Sequence, residues 1–214
     1  MNGEPLPKPT APRPQRGPRQ RLSEDERRRQ IMVATIQEVA ERGYESTSLT
    51  RIAARADVAK GLVWHYFAGK DDLMEQTAKA TMDTLRGHIV DALDLSLPVP
   101  DIIRAALRAA AEQIRTRRTE LIALTRIAQN LRGTDGERVT ADFYEQTYRG
   151  QEDLFRRGQA EGSLGDFDTR VMAVTYQGSI DIMLAYLEEH PDVEPHDYAA
   201  KLAEILLGGM QTRS

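Results

Sequence analysis

Residues 47–70 read TSLTRIAARADVAKGLVWHYFAGK, two short helical phrases joined at Asp57–Val58. Thr47 or Ser48 offers the side-chain oxygen that caps a helix start, and Leu49, Ile52, Ala53 and Ala56 recur at helical spacing behind it. The joint needs a residue that tolerates the left-handed region, and Asp is one of the few non-glycines that does. A second short helix, Lys60–Phe67, then brings Val63 to close a small core with Ile52, Ala53, Ala56 and Val58. This is the length and rhythm of a helix-turn-helix. Its second helix has an unusual outer half. Lys60 supplies a cation, and Gly61 forfeits roughly 0.5–1 kcal/mol relative to alanine inside a helix, a cost that close approach of a ligand would explain. Trp64, His65 and Tyr66 follow in one turn. Three consecutive positions sweep more than half the circumference, so at least one ring faces outward. Tyr and His can donate to phosphate oxygens, and Trp can touch a sugar or a thymine methyl. Lys70, opening the next helix beside free N–H groups, is placed for a further phosphate.

Outward from this stretch the chain reads as helix after helix. Ser23 with Glu26 three residues on is a capping-box start, Ile31, Ala34, Thr35 and Val39 follow near helical spacing, and Gly43 is the stop. The helix from Gly69–Lys70 has Asp71 and Asp72 in its first turn, where acids suit the dipole. It carries Leu73, Met74, Thr77, Met82, Leu85 and Ile89, and is expected to end near the loop Ser96–Pro100. Further helices are expected at about 101–117, 119–131, 138–162, 168–189 and 196–209, with breaks at Arg132–Gly136, Gly162–Gly165 and His190–Pro195. No sustained period-two alternation occurs, so the expectation is an all-α fold of about nine helices. The expected parts are a basic arm (1–21), a three-helix DNA-binding domain (22–70) and a larger helical domain (71–214), with the fourth helix shared between the last two.

Composition narrows the class. Hydrophobic residues at 40% and charged residues at 29% suit a globular protein, and no apolar run approaches the roughly 18 residues of a membrane span. The N-terminus has no apolar stretch of the secretory kind. Absence of cysteine excludes disulfides and thiolate metal sites and fits a cytoplasmic protein. The formal net charge of −4 hides an asymmetry: residues 1–70 hold 13 Lys+Arg against 8 Asp+Glu, and residues 71–214 hold 16 against 25. A basic N-terminal third suits a polyanion, although long acidic helices can also be merely soluble. Residues 1–21, rich in Pro and Arg (Lys8, Arg13, Arg16, Arg19, Arg21), are expected to be disordered, either as an arm lying along DNA or as a solubilising tail.

The stretch Ile31–Leu73 resembles the DNA-binding domain of the TetR family of transcriptional regulators. The resemblance rests on Ile31, Ala34, Gly43, Tyr44, Thr47, Ile52, Ala53, Ala56, Val58, Lys60, Gly61, Tyr66, Phe67, Lys70 and Leu73, ending in the K-G-x-x-x-x-Y-F and K-x-x-L elements. Asp57 stands where glycine is usual, Ala59 where Ser or Thr caps the recognition helix, Gly69 where Ser is common, and Leu62 where a polar residue is frequent. The resemblance implies that Lys60, Gly61 and Leu62 lie at the major-groove end of that helix with Trp64 and His65 nearby. It also implies that Tyr66 and Lys70 hold phosphates and that Thr47–Ser48 contact the DNA backbone through the N-terminus of the second helix. The partners implied are a double-stranded, palindromic operator, a small-molecule effector, and a second copy of the chain docked through the last two helices. No cofactor, metal or membrane is expected.

In the larger domain, Val171, Val174, Gly178, Ile182 and Ala185 share one stripe, and Tyr198, Leu202, Ile205 and Leu206 form another, which a two-fold dimer would bury. Candidates to line an effector pocket are Thr125, Gln129, Phe143, Tyr144, Thr147, Tyr148, Met172 and Tyr176, a mix of aromatic, thioether and polar groups, each of which reads first as ordinary core or surface. Coupling is expected through the helix that begins at Lys70 and carries Met82 and Leu85. The fragment His190–His196 (HPDVEPH) could offer metal ligands but reads as a solvated Pro-bearing loop. No phosphate-binding loop, nucleophile elbow or HExxH helix appears, so the expectation is a regulator and not an enzyme, most readily a repressor released by its effector. The rival is a helical binding protein or enzyme whose N-terminal helices only dock it.

Overall fold

The computed structural model describes residues 22–131 and 140–211, with side chains of the second segment described from Tyr144. The expected arm 1–21, the expected break Arg132–Gly136 and the side chain of Phe143 lie outside the described residues. Those described form helices and no strand: α1 (Glu24–Arg42), α2 (Leu49–Arg55), α3 (Lys60–Tyr66), α4 (Lys70–Asp91), α5 (Val99–Thr116), α6 (Arg118–Asn130), α7 (Thr140–Ala160), α8 (Thr169–Glu189) and α9 (Pro195–Gly209).

The first boundaries follow the local chemistry. Ser23 Oγ accepts from Glu26 N at 3.2 Å while Glu26 Oε2 accepts from Ser23 N at 2.7 Å, a complete capping box. Gly43 ends α1 at φ 84°, and Asp57 (φ 50°) is the only non-glycine with positive φ among the described residues, making the turn between α2 and α3. Of the two candidate caps for α2 it is Ser48 that accepts from Arg51 N (3.4 Å), and Ala59 gives α3 no side-chain cap.

Helix α4 stops at Asp91, short of the expected Ser96–Pro100 loop. Asp94 Oδ1 takes both the amide (2.9 Å) and the hydroxyl (2.6 Å) of Ser96, a local arrangement that competes with helix. The loop is gathered by α7: the Arg157 guanidinium donates to the carbonyls of Leu95 (2.7 Å) and Leu97, and Glu161 Oε1 accepts from Val99 N (3.0 Å) at the start of α5. Gly158 lets Leu164 lie against α7, since a Cβ there would sit 2.6 Å from Leu164 Cδ1.

Two apolar cores result. The larger lies among α5, α7, α8 and α9, around Ile103, Leu107, Phe155, Tyr176, Met183 and Leu207, with Phe155 edge-on to Tyr176 at 5.7 Å between ring centres. The smaller unites Ile31, Val39, Ile52, Val63 and Phe67 with Leu73 and Met74 of α4, with Ala123 and Ile127 of α6, and with Leu131 just after it. Residues 22–70 therefore do not close their core alone; α4 and α6 complete it. Arg126 on α6 adds a polar tie, its Nη1 donating to the carbonyls of Val39 (3.1 Å) and Ala40 (2.8 Å) in the last turn of α1. Gln113 Nε2 on α5 donates to Leu85 O on α4 at 2.8 Å, linking the other core to the same joint. No described helix is long and apolar enough to cross a membrane.

Candidate nucleic-acid interface

Helix α3 is rooted by its own sequence. Val63 and Phe67 are buried, so the opposite face, Lys60, Gly61, Trp64 and His65, is left exposed, with Leu62 half-buried beside it. Trp64 keeps 53% of its surface accessible, so its indole is free to meet a partner. Among the described residues nothing lies within 4 Å of where a Gly61 Cβ would stand, so their packing does not require glycine there. Tyr66 is half-buried: the Arg28 guanidinium of α1 lies 5.6 Å from its ring centre and 5.6 Å from that of Phe67, and His65 meets it edge-on at 5.0 Å.

The flanking residues divide. Ser48 is exposed as the cap of α2, whereas Thr47 is only 2% exposed and its hydroxyl donates inward to Gly43 O at 2.7 Å. Lys70 is half-buried and braces the end of α1, with Nζ donating to Tyr44 O (2.8 Å) and lying 4.5 Å from the Tyr44 ring centre. Tyr44 in turn donates to Asp71 Oδ1 at 3.2 Å, and burial together with the Asp71 carboxylate pushes its phenol up to about 12. The sequence-expected phosphate contacts at Thr47 and Lys70 are thus side chains already engaged within the fold. Arg51, exposed in the first turn of α2 beside Ser48, is a cation that the sequence reading passed over. Its place one turn behind the cap was the available signal. The face formed by Ser48, Arg51, Lys60, Trp64 and His65 offers cations, hydrogen-bond donors and one broad apolar ring to a phosphate-lined groove.

The residues proposed for the helical core fall into two groups. Thr125 and Gln129 are exposed on α6, which packs on α1, α4 and α5. Tyr144, Thr147 and Tyr148 on α7 and Met172 on α8 are half-buried, and Tyr176 is buried at 3% exposure, with its phenol pushed up by burial. Tyr144 stacks on Tyr148 at 5.8 Å between ring centres. Sequence reading missed the polar partners of this seam, Gln151, Gln177 and Asp181, although the i,i+4 spacing of the last two marks them as one side of α8. His190 stacks on Tyr186 at 4.0 Å, and His196 Nε2 lies 2.8 Å from Glu112. Among the described residues no group of three or more His, Cys, Asp or Glu is placed to hold a metal.

Fold and site together define a helix-turn-helix protein whose reading head is carried on a larger helical core. Residues 31–77 match the family described as bacterial regulatory proteins, tetR family. The chain is 31% identical over 132 residues to the HTH-type transcriptional regulator HbdR of Aromatoleum sp. (strain CIB), covering 58% of this chain and 57% of that one. It is 40% identical over 88 residues to the HTH-type transcriptional regulator BetI of Yersinia pestis (strain Pestoides F), covering 40% of this chain and 42% of that one. The chain spans about half the length of these curated relatives. The solved structure of the transcriptional regulator FadR from Bacillus subtilis, in complex with stearoyl-CoA, shares the fold at a TM-score of 0.75 and 17% identity, covering 86% of this chain and 99% of that one. The likeness to the tetR family is thus carried by residues 31–77, the helix-turn-helix and the start of α4.

Proposed function

We propose that the chain is a one-component transcriptional repressor that binds a palindromic operator as a homodimer and leaves it when a small-molecule effector enters the helical core. The observation that carries this reading is the outer face of α3, where Lys60, Gly61, Trp64 and His65 stand exposed on a buried root. Dimerisation is supported by α8 and α9: Val171, Val174 and Ile182 (68% exposed) line one stripe and Ile205 (71% exposed) extends it. Gly178 lies open on the same face, with nothing within 4 Å of a Cβ, as a second helix at close range would require. The stearoyl-CoA held by FadR supports an organic effector for a fold of this kind. The protein acts without catalysis, in the cytoplasm.

Operator fragments are selected from random DNA, and affinity is then measured by gel shift. Lys60→Ala and Trp64→Ala should each weaken binding by about 1–3 kcal/mol, and wild-type affinity should fall steeply with added salt. Tyr66 is a poorer first target because Arg28 packs on it. Wild-type affinity in the Lys60→Ala, Trp64→Ala double variant would remove α3 as the reading helix.

A further inference from the structure

Between α7 and α8 runs a chain of polar side chains with a fixed direction. Tyr144 stands beside the Asp181 carboxylate, Gln177 Nε2 donates to Asp181 Oδ1 at 2.9 Å, and Gln151 Nε2 donates to Gln177 Oε1 at 2.8 Å. A carboxylate accepts only, so Gln177 must turn its NH2 toward Asp181 and its oxygen toward Gln151, which then must turn its own NH2 toward Gln177. The chain ends in one remainder: Gln151 Oε1 is buried and finds no donor among the described residues. Such an acceptor forfeits its water without replacement, and native structures keep few of them.

The other end is also unmatched. Among the described residues no cation pairs with Asp181, whose carboxyl is raised by burial. The arginines of α7 and of the first turn of α8 are engaged elsewhere: Arg170 is held by Glu145 and Glu152, Arg149 by Glu145, and Arg156 by Glu152 and Asp153. Beside this seam Tyr144 and Tyr148 stack, both half-buried, and Arg170 lies 4.9 Å from the Tyr148 ring centre. An orphan acceptor, an uncompensated carboxylate and two stacked phenols together ask for a ligand that brings N–H donors and positive charge.

We propose that the α7–α8 seam binds a small organic amine, whose N–H groups supply the donor that Gln151 lacks and whose charge faces Asp181. This rests on the reading of the helical core as the effector-binding part, and it names the chemistry. A carboxylate ligand would meet Asp181 as a like charge and would bring no donor to Gln151.

The test is calorimetry on the full chain without DNA, titrating phenylbutylamine, with phenylbutanol and phenylbutanoate as neutral and anionic probes of the same skeleton. The amine should bind most tightly. Asp181→Asn should weaken it roughly ten- to a hundredfold and Gln151→Leu about tenfold, with the helical circular-dichroism signal and sedimentation of both variants unchanged. Three results would overturn the proposal: no heat with the amine, equal binding of the acid, or amine affinity indifferent to Asp181→Asn. Loss of the dimer in Asp181→Asn would overturn it too, assigning the seam to subunit contact. A gel shift with the amine separates the two readings. Binding without operator release leaves the amine site standing and removes this site from the effector role.

Discussion

Gly61 and Trp64 sit one helical turn apart, and each departs from what stability alone would choose. Replacing Gly61 by alanine removes a backbone-entropy cost in an exposed helix with nothing in the way of the new methyl. Gly61→Ala should therefore raise unfolding free energy by about 0.5–1 kcal/mol in a urea melt while lowering operator affinity in the same preparation. A variant that gained stability and kept its affinity would show that no groove wall comes near position 61. Asp181 makes the second residue-scale prediction. Burial raises its carboxyl, so the folded state holds that proton more tightly than the unfolded chain. The contribution favours folding at acid pH and is lost as pH rises past the usual carboxylate range toward the raised value. Asp181→Asn should then melt above wild type at pH 7, with the gap closing as pH falls toward about 4 in a series of thermal scans.

At the scale of elements, α6 is where packing overrode sequence pattern. Its inner residues Ala123 and Ile127 read as part of any helical core, and nothing in their spacing says that the core they join is the one around Ile31, Ile52 and Phe67. Local signals did their work locally. The capping box at Ser23, the stop at Gly43 and the turn at Asp57 were all legible, because each is decided within four residues. The outward face of α3 was legible for the same reason. The inward turn of the Thr47 hydroxyl and the brace from Lys70 to Tyr44 were not, since both depend on where α1 ends in space. The polar chain from Gln151 to Asp181 needed α7 beside α8 before it could be seen. For α6 the expected outcome is concrete. Arg126→Ala removes two charge-assisted bonds to the last carbonyls of α1 and should cost about 1–3 kcal/mol, with faster hydrogen exchange of the amides around Gly43.

For the molecule as a whole, the exposed stripe on α8 and α9 sets the expected assembly. Ile182→Glu places a charge in the middle of the apolar face that a second copy would cover. Sedimentation should shift from dimer to monomer at micromolar concentration, and operator affinity should fall at least tenfold because one head then binds one half-site. A variant that stayed dimeric would move the subunit contact to another face. The shared smaller core has a different consequence. Cut after Lys70, the chain would leave Ile31, Ile52 and Phe67 without the wall that Leu73, Met74, Ala123, Ile127 and Leu131 provide, and a fresh apolar surface would meet water. The reading head is accordingly no cassette. Grafting it onto the sensor half of another regulator would demand that the recipient's sixth helix carry the same inner wall and a guanidinium within reach of the Val39 and Ala40 carbonyls.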